Sequence, residues 1–188
     1  MARMRTFIAV PLEAGIRNHV VSLQERLSKS GVEVKWVEPE NLHITLLFLG
    51  EVDVRDTLLV CRAVSDVTAD MDSFSIRIAG VGCFPNPRRP KTIWAGIDDG
   101  ANELVQLHDR IEAILLEQGA YRREGRPYTP HVTLGRVKGD DARPLSKALK
   151  EQADWTAGSE IVREVHVLSS ELTSDGPKYT VLGRGRIK

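Results

Sequence analysis

Pro39-Glu40-Asn41-Leu42-His43-Ile44-Thr45-Leu46 and Pro127-Tyr128-Thr129-Pro130-His131-Val132-Thr133-Leu134 are two copies of one pattern, Pro-x-x-x-His-x-Thr-Leu. In each, the His and the Thr stand two apart in an apolar run, and successive side chains of a strand point to opposite faces. Each copy therefore predicts a strand with His and Thr on one face and an apolar residue, Ile44 or Val132, on the other. The fold has to provide such a face twice.

The chain around the copies reads as alternating strands and helices. Thr6–Val10 is a β-rich run stopped by Pro11, and the apolar residues Ile16, Val20, Leu23 and Leu27 recur at helical spacing between Glu13 and Lys29, with Gly31 as the stop. Val32–Val37 reads as a short strand, and the first His-x-Thr strand covers His43–Leu49. A second helix is expected after it, capped by Asp53 or Asp56, with Leu58, Leu59, Ala63 and Val67 as its buried stripe. Phe74–Ala79 alternates as a half-exposed antiparallel strand should. The three prolines of Phe84-Pro85-Asn86-Pro87-Arg88-Arg89-Pro90 exclude regular structure there. Thr92–Ile97 is the next strand. Asp98 or Asp99 is expected to cap a helix burying Leu104, Leu107, Ile111 and Leu115, and the basic connection Tyr121–Arg126 leads to the second His-x-Thr strand. Pro144–Glu151 gives one or two helical turns. Ile161–Leu172 and Tyr179–Ile187 form a closing hairpin about the turn Ser174-Asp175-Gly176-Pro177.

Thr6-x-x-Ala9 opens a strand that leads through a helix to His43, and Thr92-x-x-Ala95 does the same on the way to His131. This shared plan predicts one α+β domain over residues 1–188. It is bilobal, with two lobes related by an approximate two-fold, each an antiparallel sheet with helices outside, and a cleft between them. If the equivalent strands face one another, His43 and His131 meet in that cleft.

Two imidazoles in a cleft can divide proton transfer. One takes a proton from water or a hydroxyl while the other gives one to a leaving oxygen, which suits in-line displacement at phosphorus. The Thr45 and Thr133 hydroxyls can hold the non-bridging oxygens. Arg136 and the basic loops Arg88-Arg89 and Arg122-Arg123-Arg126 add positive charge. Catalytic zinc takes three protein ligands, usually with His-x-His or His-x-x-x-His spacing, and neither spacing occurs among the five histidines. His19, His108 and His166 read as surface or packing residues. There is no G-x-S-x-G elbow, Walker A pattern or G-x-G-x-x-G fingerprint.

The 26 basic and 26 acidic residues cancel, which excludes a globally basic nucleic-acid surface and leaves only local patches. Cys61 and Cys83 form neither a C-x-x-C pair nor a cysteine-rich framework and read as reduced, partly buried thiols. The apolar runs fall far short of a membrane span, and no secretory h-region follows the N-terminus, so a cytoplasmic protein is expected.

On Arg5-Thr6-Phe7-Ile8-Ala9-Val10-Pro11, Trp36–Gly50, Phe84–Pro90 and Tyr128-Thr129-Pro130-His131-Val132-Thr133-Leu134-Gly135-Arg136, the chain resembles the two-histidine (2H) phosphoesterase superfamily. Within it, the resemblance is to the bacterial and archaeal RNA 2′,3′-cyclic phosphodiesterases, also known as 2′-5′ RNA ligases (the LigT/ThpR-like group). The resemblance implies the bilobal α+β fold and a metal-independent activity with no cofactor. That activity opens a terminal 2′,3′-cyclic phosphate of RNA to a 2′-phosphomonoester, and some members join RNA ends through a 2′-5′ linkage. It implies His43 as proton donor to the departing 3′ oxygen, His131 as the acceptor that activates water, and Thr45 and Thr133 as phosphate holders. The sequence alone leaves open which histidine donates.

The expected partners are RNA ends or nucleotides carrying a 2′,3′-cyclic phosphate, with no membrane, and the expected state is a monomer. Phe48, Phe84 or Tyr128, adjoining the motifs, is read as a stacking face for the terminal base, with a core role as the competing reading for Phe48. Two other functions stay open: the same dyad acting on 2′-5′ oligoadenylate or an ADP-ribose cyclic phosphate, and a non-catalytic module that binds RNA ends or nucleotides.

Overall fold

The structure is a computed structural model that describes residues 2–121, 125, 127–139, 143–174 and 176–188. In chain order it contains β1 (Arg3–Pro11), α1 (Ala14–Ser28), β2 (Val34–Trp36), a 3-10 turn (Pro39–Asn41), β3 (His43–Asp53), α2 (Thr57–Ala69), β4 (Phe74–Phe84) and β5 (Thr92–Ile97). There follow α3 (Ala101–Glu117), β6 (His131–Val137), α4 (Arg143–Glu151), β7 (Thr156–Val162), β8 (Glu164–Thr173) and β9 (Gly176–Arg186).

The nine strands form one antiparallel sheet in the order β7-β4-β5-β6-β3-β1-β8-β9, with β2 on β6. The two expected halves lie on either side of a seam where β6 meets β3, and strands on the two sides correspond in order: β6 to β3, β5 to β1, β4 to β8 and β7 to β9. A single pair, Ile44 with Val132, bridges the seam. Both side chains are fully buried, as period-two reading of the motifs requires. The approximate two-fold passes between them.

The helices cover the apolar face of the sheet, and two of them cross the seam. α1 follows β1 in the chain yet packs on β7 and on β6, where Gln24 Nε2 donates to the Leu134 carbonyl at 2.9 Å. α3 follows β5 yet packs on β3 and α2. Each half is thus roofed partly by a helix that the other half's strands introduce. One contiguous core results, running from Ile8 and Leu23 through Ile44 and Leu107 to Val132 and Leu134.

Several local expectations are corrected. Leu58 and Leu59 of α2 are exposed, and the stripe is instead Val60, Ala63, Val64 and Val67, the same helical period turned by about one residue. Neither aspartate pair caps a helix by its side chain. Asp53 takes Arg55, and Asp98 pairs with Arg77, while the N-cap of α3 is Gly100 at φ 75°, where an added Cβ would collide with the Ser75 carbonyl oxygen. β4 runs on through Gly80 to Phe84. Ile161–Leu172 is divided at Arg163, so that its first residues belong to β7, which pairs with β4, and the rest to β8, which pairs with β1 and β9. Cys61 and Cys83 are free thiols, half-buried and buried. Arg122, Arg123, Arg126 and Asp175 lie outside the described residues.

Gln24 tests the crossing of α1. It is 6% exposed, and its amide donates to both Val37 and Leu134 carbonyls at 2.9 Å, fixing α1 to the β2–β3 connection and to β6 at once. Gln24→Ala takes the side-chain donor from the Val37 carbonyl and leaves the buried Leu134 carbonyl with the Val37 amide alone, and is expected to lower stability by about 1–3 kcal/mol. Urea denaturation with an unchanged m-value checks this.

Candidate active site

One step to either side of the Ile44–Val132 pair stand His43 and Thr45 on β3 and His131 and Thr133 on β6. Strand alternation turns these four away from the core, onto the concave face of the curled sheet. The Ile44–Val132 register makes His43 and His131 diagonal neighbours across the seam, a relation that separates residues by roughly 7–8 Å, and their Cβ atoms by somewhat less, in antiparallel sheets. Past the Ile44–Val132 pair β6 takes β2 as its neighbour in place of β3, with the Val37 amide donating to the Leu134 carbonyl at 2.9 Å, so the two His-x-Thr strands part company beside the four side chains.

The imidazoles are held alike. His43 Nδ1 donates to the Asn41 carbonyl at 2.7 Å and His131 Nδ1 to the Thr129 carbonyl at 2.6 Å, each the residue two before it. A carbonyl can only accept, so each ring keeps its proton on Nδ1 and turns Nε2 into the cleft. The 3-10 turn Pro39–Asn41 presents the first carbonyl and the segment Pro127–Pro130 the second, which accounts for the proline in both copies. Thr45 Oγ1 lies 2.9 Å from His43 Nε2.

The surroundings break the symmetry. Phe7 and Tyr179 flank His43, with ring centroids 5.1 and 5.7 Å away. Phe84 and Trp94 flank His131 at 5.2 and 6.4 Å. The Trp94 ring lies across Gly82, where any Cβ would collide with it. Burial lowers both imidazole pKa values below 6.5, opposed in each by the backbone hydrogen bond, and the His131 charge further disfavours a protonated His43. These forces favour neutral rings and weigh most against two positive charges at once.

Bulges place the next pair of residues. The β1–β3 register goes from Ala9↔Thr45 to Ile8↔Leu47, and the β5–β6 register from Trp94↔Thr133 to Ile93↔Gly135, so Leu46 and Leu134 are skipped in equivalent places. Each bulge shifts the alternation by one and brings Phe48 and Arg136, three beyond the threonines, onto the concave face. The same registers correct the Thr-x-x-Ala repeat: Ala9 stands opposite Thr45 whereas Ala95 stands opposite Val132, so the two alanines are one place out of step.

Among the aromatic candidates, Phe48 is 51% exposed and Phe84 37%, and both offer open ring surface beside the cleft. Tyr128 does not. Its ring is stacked on His108 of α3 at 4.3 Å, and its hydroxyl donates to the Thr45 carbonyl at 3.0 Å, so it ties the β6 entry to α3 and β3 rather than meeting a base. Arg88 and Arg89 are exposed on the β4–β5 loop. Phe7, Trp94 and Tyr179 escape the sequence reading. Trp94 alone carries a local signal, as an aromatic residue in the strand beside the second motif, while Tyr179 reaches His43 from the opposite end of the chain.

For a metal, the cleft offers two imidazoles and two hydroxyls, short of the three protein ligands of a catalytic zinc site. Among the described residues, a grouping with ligand atoms within 4.8 Å of one another occurs at His108, Asp109 and Glu112 on α3, across the sheet from the cleft.

Residues 15–173 match the family model of the 2′-5′ RNA ligase superfamily. The chain belongs to this superfamily. It is 38% identical over 179 residues to the RNA 2′,3′-cyclic phosphodiesterase of Methanothermobacter thermautotrophicus, covering 95% of this chain and 96% of that one. With its Aeropyrum pernix counterpart the identity is 38% over 161 residues, covering 85% and 90%. Among solved structures, a Thermus thermophilus protein superposes with a TM-score of 0.85 at 28% identity over 98% of both chains. Escherichia coli LigT in apo form does so at 0.80 and 22% identity, over 100% of this chain and 99% of that one, a likeness of fold. Membership of the 2′-5′ RNA ligase superfamily makes the protein an enzyme, with the curled α+β sheet shared by these relatives. No described helix is long and apolar enough to cross a membrane.

The state of His43 has a measurable effect on stability. The fold favours the neutral ring, so the folded pKa lies below 6.5 while the unfolded one stays there. Between the two values the unfolded chain binds more protons, so this contribution is complete above about pH 6.5 and is lost as pH falls through the folded value. The stability of wild type minus that of His43→Asn, from denaturant titrations, is expected to fall on acidification below about pH 6.5 and to be flat above it.

Proposed function

We propose that the protein is an RNA 2′,3′-cyclic phosphodiesterase that opens a terminal 2′,3′-cyclic phosphate to a 2′-phosphomonoester by general acid–base catalysis between two histidines, without a metal ion. The observation that supports this reading is the pair of imidazoles on one face of adjoining strands, each with its tautomer set by a backbone carbonyl. The names of the relatives at 38% identity support the substrate.

In this reading the cyclic phosphate lies over the seam. His131 Nε2 takes a proton from water as the water oxygen bonds to phosphorus. The bond from phosphorus to the 3′ oxygen breaks in line with that attack, and His43 Nε2 gives its proton to the departing oxygen. The product keeps the phosphate on the 2′ oxygen. The Thr45 and Thr133 hydroxyls donate to the non-bridging oxygens, where charge grows in the transition state, and Arg136 supplies positive charge from the β6 bulge. Phe48 and Phe84 are the stacking faces for a base. With a 5′-hydroxyl RNA end in place of water, the same sequence joins two RNA ends through a 2′-5′ linkage, and in the reverse reaction, cleavage of that linkage by the 3′ hydroxyl, the two histidines exchange roles.

Nucleoside 2′,3′-cyclic phosphates are expected to be hydrolysed in excess EDTA to 2′-phosphates alone, with a bell-shaped pH profile for kcat/KM. His43→Ala and His131→Ala should each lower kcat by about 10²–10⁴-fold, with circular dichroism unchanged. A 3′-phosphate product, or loss of turnover in EDTA, contradicts the mechanism.

A further inference from the structure

Tyr179 lies in the mouth of the cleft without an assigned part in the chemistry. Its ring meets His43 edge-on and Phe7 at 4.9 Å, and its hydroxyl makes no hydrogen bond among the described residues. Register places it in a row with Ser170 of β8 and Arg5 of β1, on the same concave face as Phe7. Burial raises the Tyr179 pKa, while Arg5 and Arg136, approaching from the two halves of the sheet, hold it down.

Arg136 brings an independent signal. It stands directly opposite Lys35 of β2, with Thr92 on its other side, and both cations are exposed. Like charges opposite one another in a sheet are destabilising. No carboxylate is paired with either among the described residues. Arg5 has Glu51 opposite it on β3, yet no ion pair forms between them. A phenol hydroxyl reached electrostatically by Arg5 and Arg136, with Lys35 opposite Arg136 and all three cations unpaired among the described residues, makes a site for a second anion.

We propose that Tyr179, Arg5, Arg136 and Lys35 form a second phosphate subsite, which receives the phosphate on the 5′ oxygen of the nucleotide that carries the cyclic phosphate. In RNA that group is the phosphodiester leading to the next nucleotide, one ribose away from the seam. The subsite rests on the phosphodiesterase reading and refines it, since it makes the enzyme prefer an RNA end to a nucleoside cyclic phosphate. Its cations come from both halves of the sheet, so a bound strand spans the seam.

Calorimetric titration of wild-type protein with adenosine 2′-monophosphate, adenosine 2′,5′-bisphosphate and a dinucleotide ending in a 2′-phosphate reads the subsite without turnover. Both two-phosphate ligands are expected to bind about tenfold tighter than the monophosphate at low salt, the worth of one charge-assisted hydrogen bond. That advantage should shrink at least about threefold in Tyr179→Phe, in Arg5→Gln and in Lys35→Gln, and with added salt. Equal affinity for one and two phosphates, or an advantage untouched by all three substitutions, overturns the subsite. A dinucleotide that binds no tighter than the monophosphate overturns its assignment to RNA. Failure of the phosphodiesterase reading shows separately, as absence of turnover of any cyclic phosphate by the wild-type enzyme.

Discussion

The Ile44–Val132 contact is the constraint on which the rest depends. Two fully buried β-branched side chains hold the two His-x-Thr strands together at one point. Any slip of one residue along either strand would send its histidine into the core and its apolar residue into water. The buried side of the seam therefore sets the register, and the polar side inherits it. Helices α1 and α3 reinforce the arrangement, since each packs across the seam from the strands that precede it.

Orientation of the imidazoles is delegated to main chain. A carboxylate behind a histidine would raise its proton affinity and favour one permanent charge. A carbonyl fixes the tautomer with a weaker pull, and burial keeps both rings inclined to be neutral. Two such rings near one another hold a single proton more readily than two, which is what a reversible exchange of acid and base roles needs. His43 is the more enclosed, between Phe7 and Tyr179, while His131 opens toward the exposed Phe84.

Much of this is legible in the sequence wherever a regular period governs the outcome. Alternation in Pro39–Leu46 and Pro127–Leu134 identifies the two strands and the faces of their histidines, and helical spacing gives α1 and α3 with their buried residues. Departures from a period are hidden. The bulges at Leu46 and Leu134 carry no residue signature, and they decide that Phe48 and Arg136 face the cleft. The stripe of α2 is misread because Leu58 and Leu59 look more buried by type than Val60 and Val64. Tyr128 looks like a platform because nothing local shows His108 lying parallel to it. Tyr179 joins the cleft through strand order alone, which no local window contains.

The exchange of α1 and α3 across the seam bears on how such a molecule can be built. A half-length chain of this plan would carry an apolar sheet face and a helix that covers someone else's. Two copies would satisfy each other by trading helices, and the trade would bring two identical His-x-Thr strands together at a true two-fold. The site is thus one that a symmetric homodimer could make, and joining the halves in a single chain frees each histidine to acquire neighbours of its own.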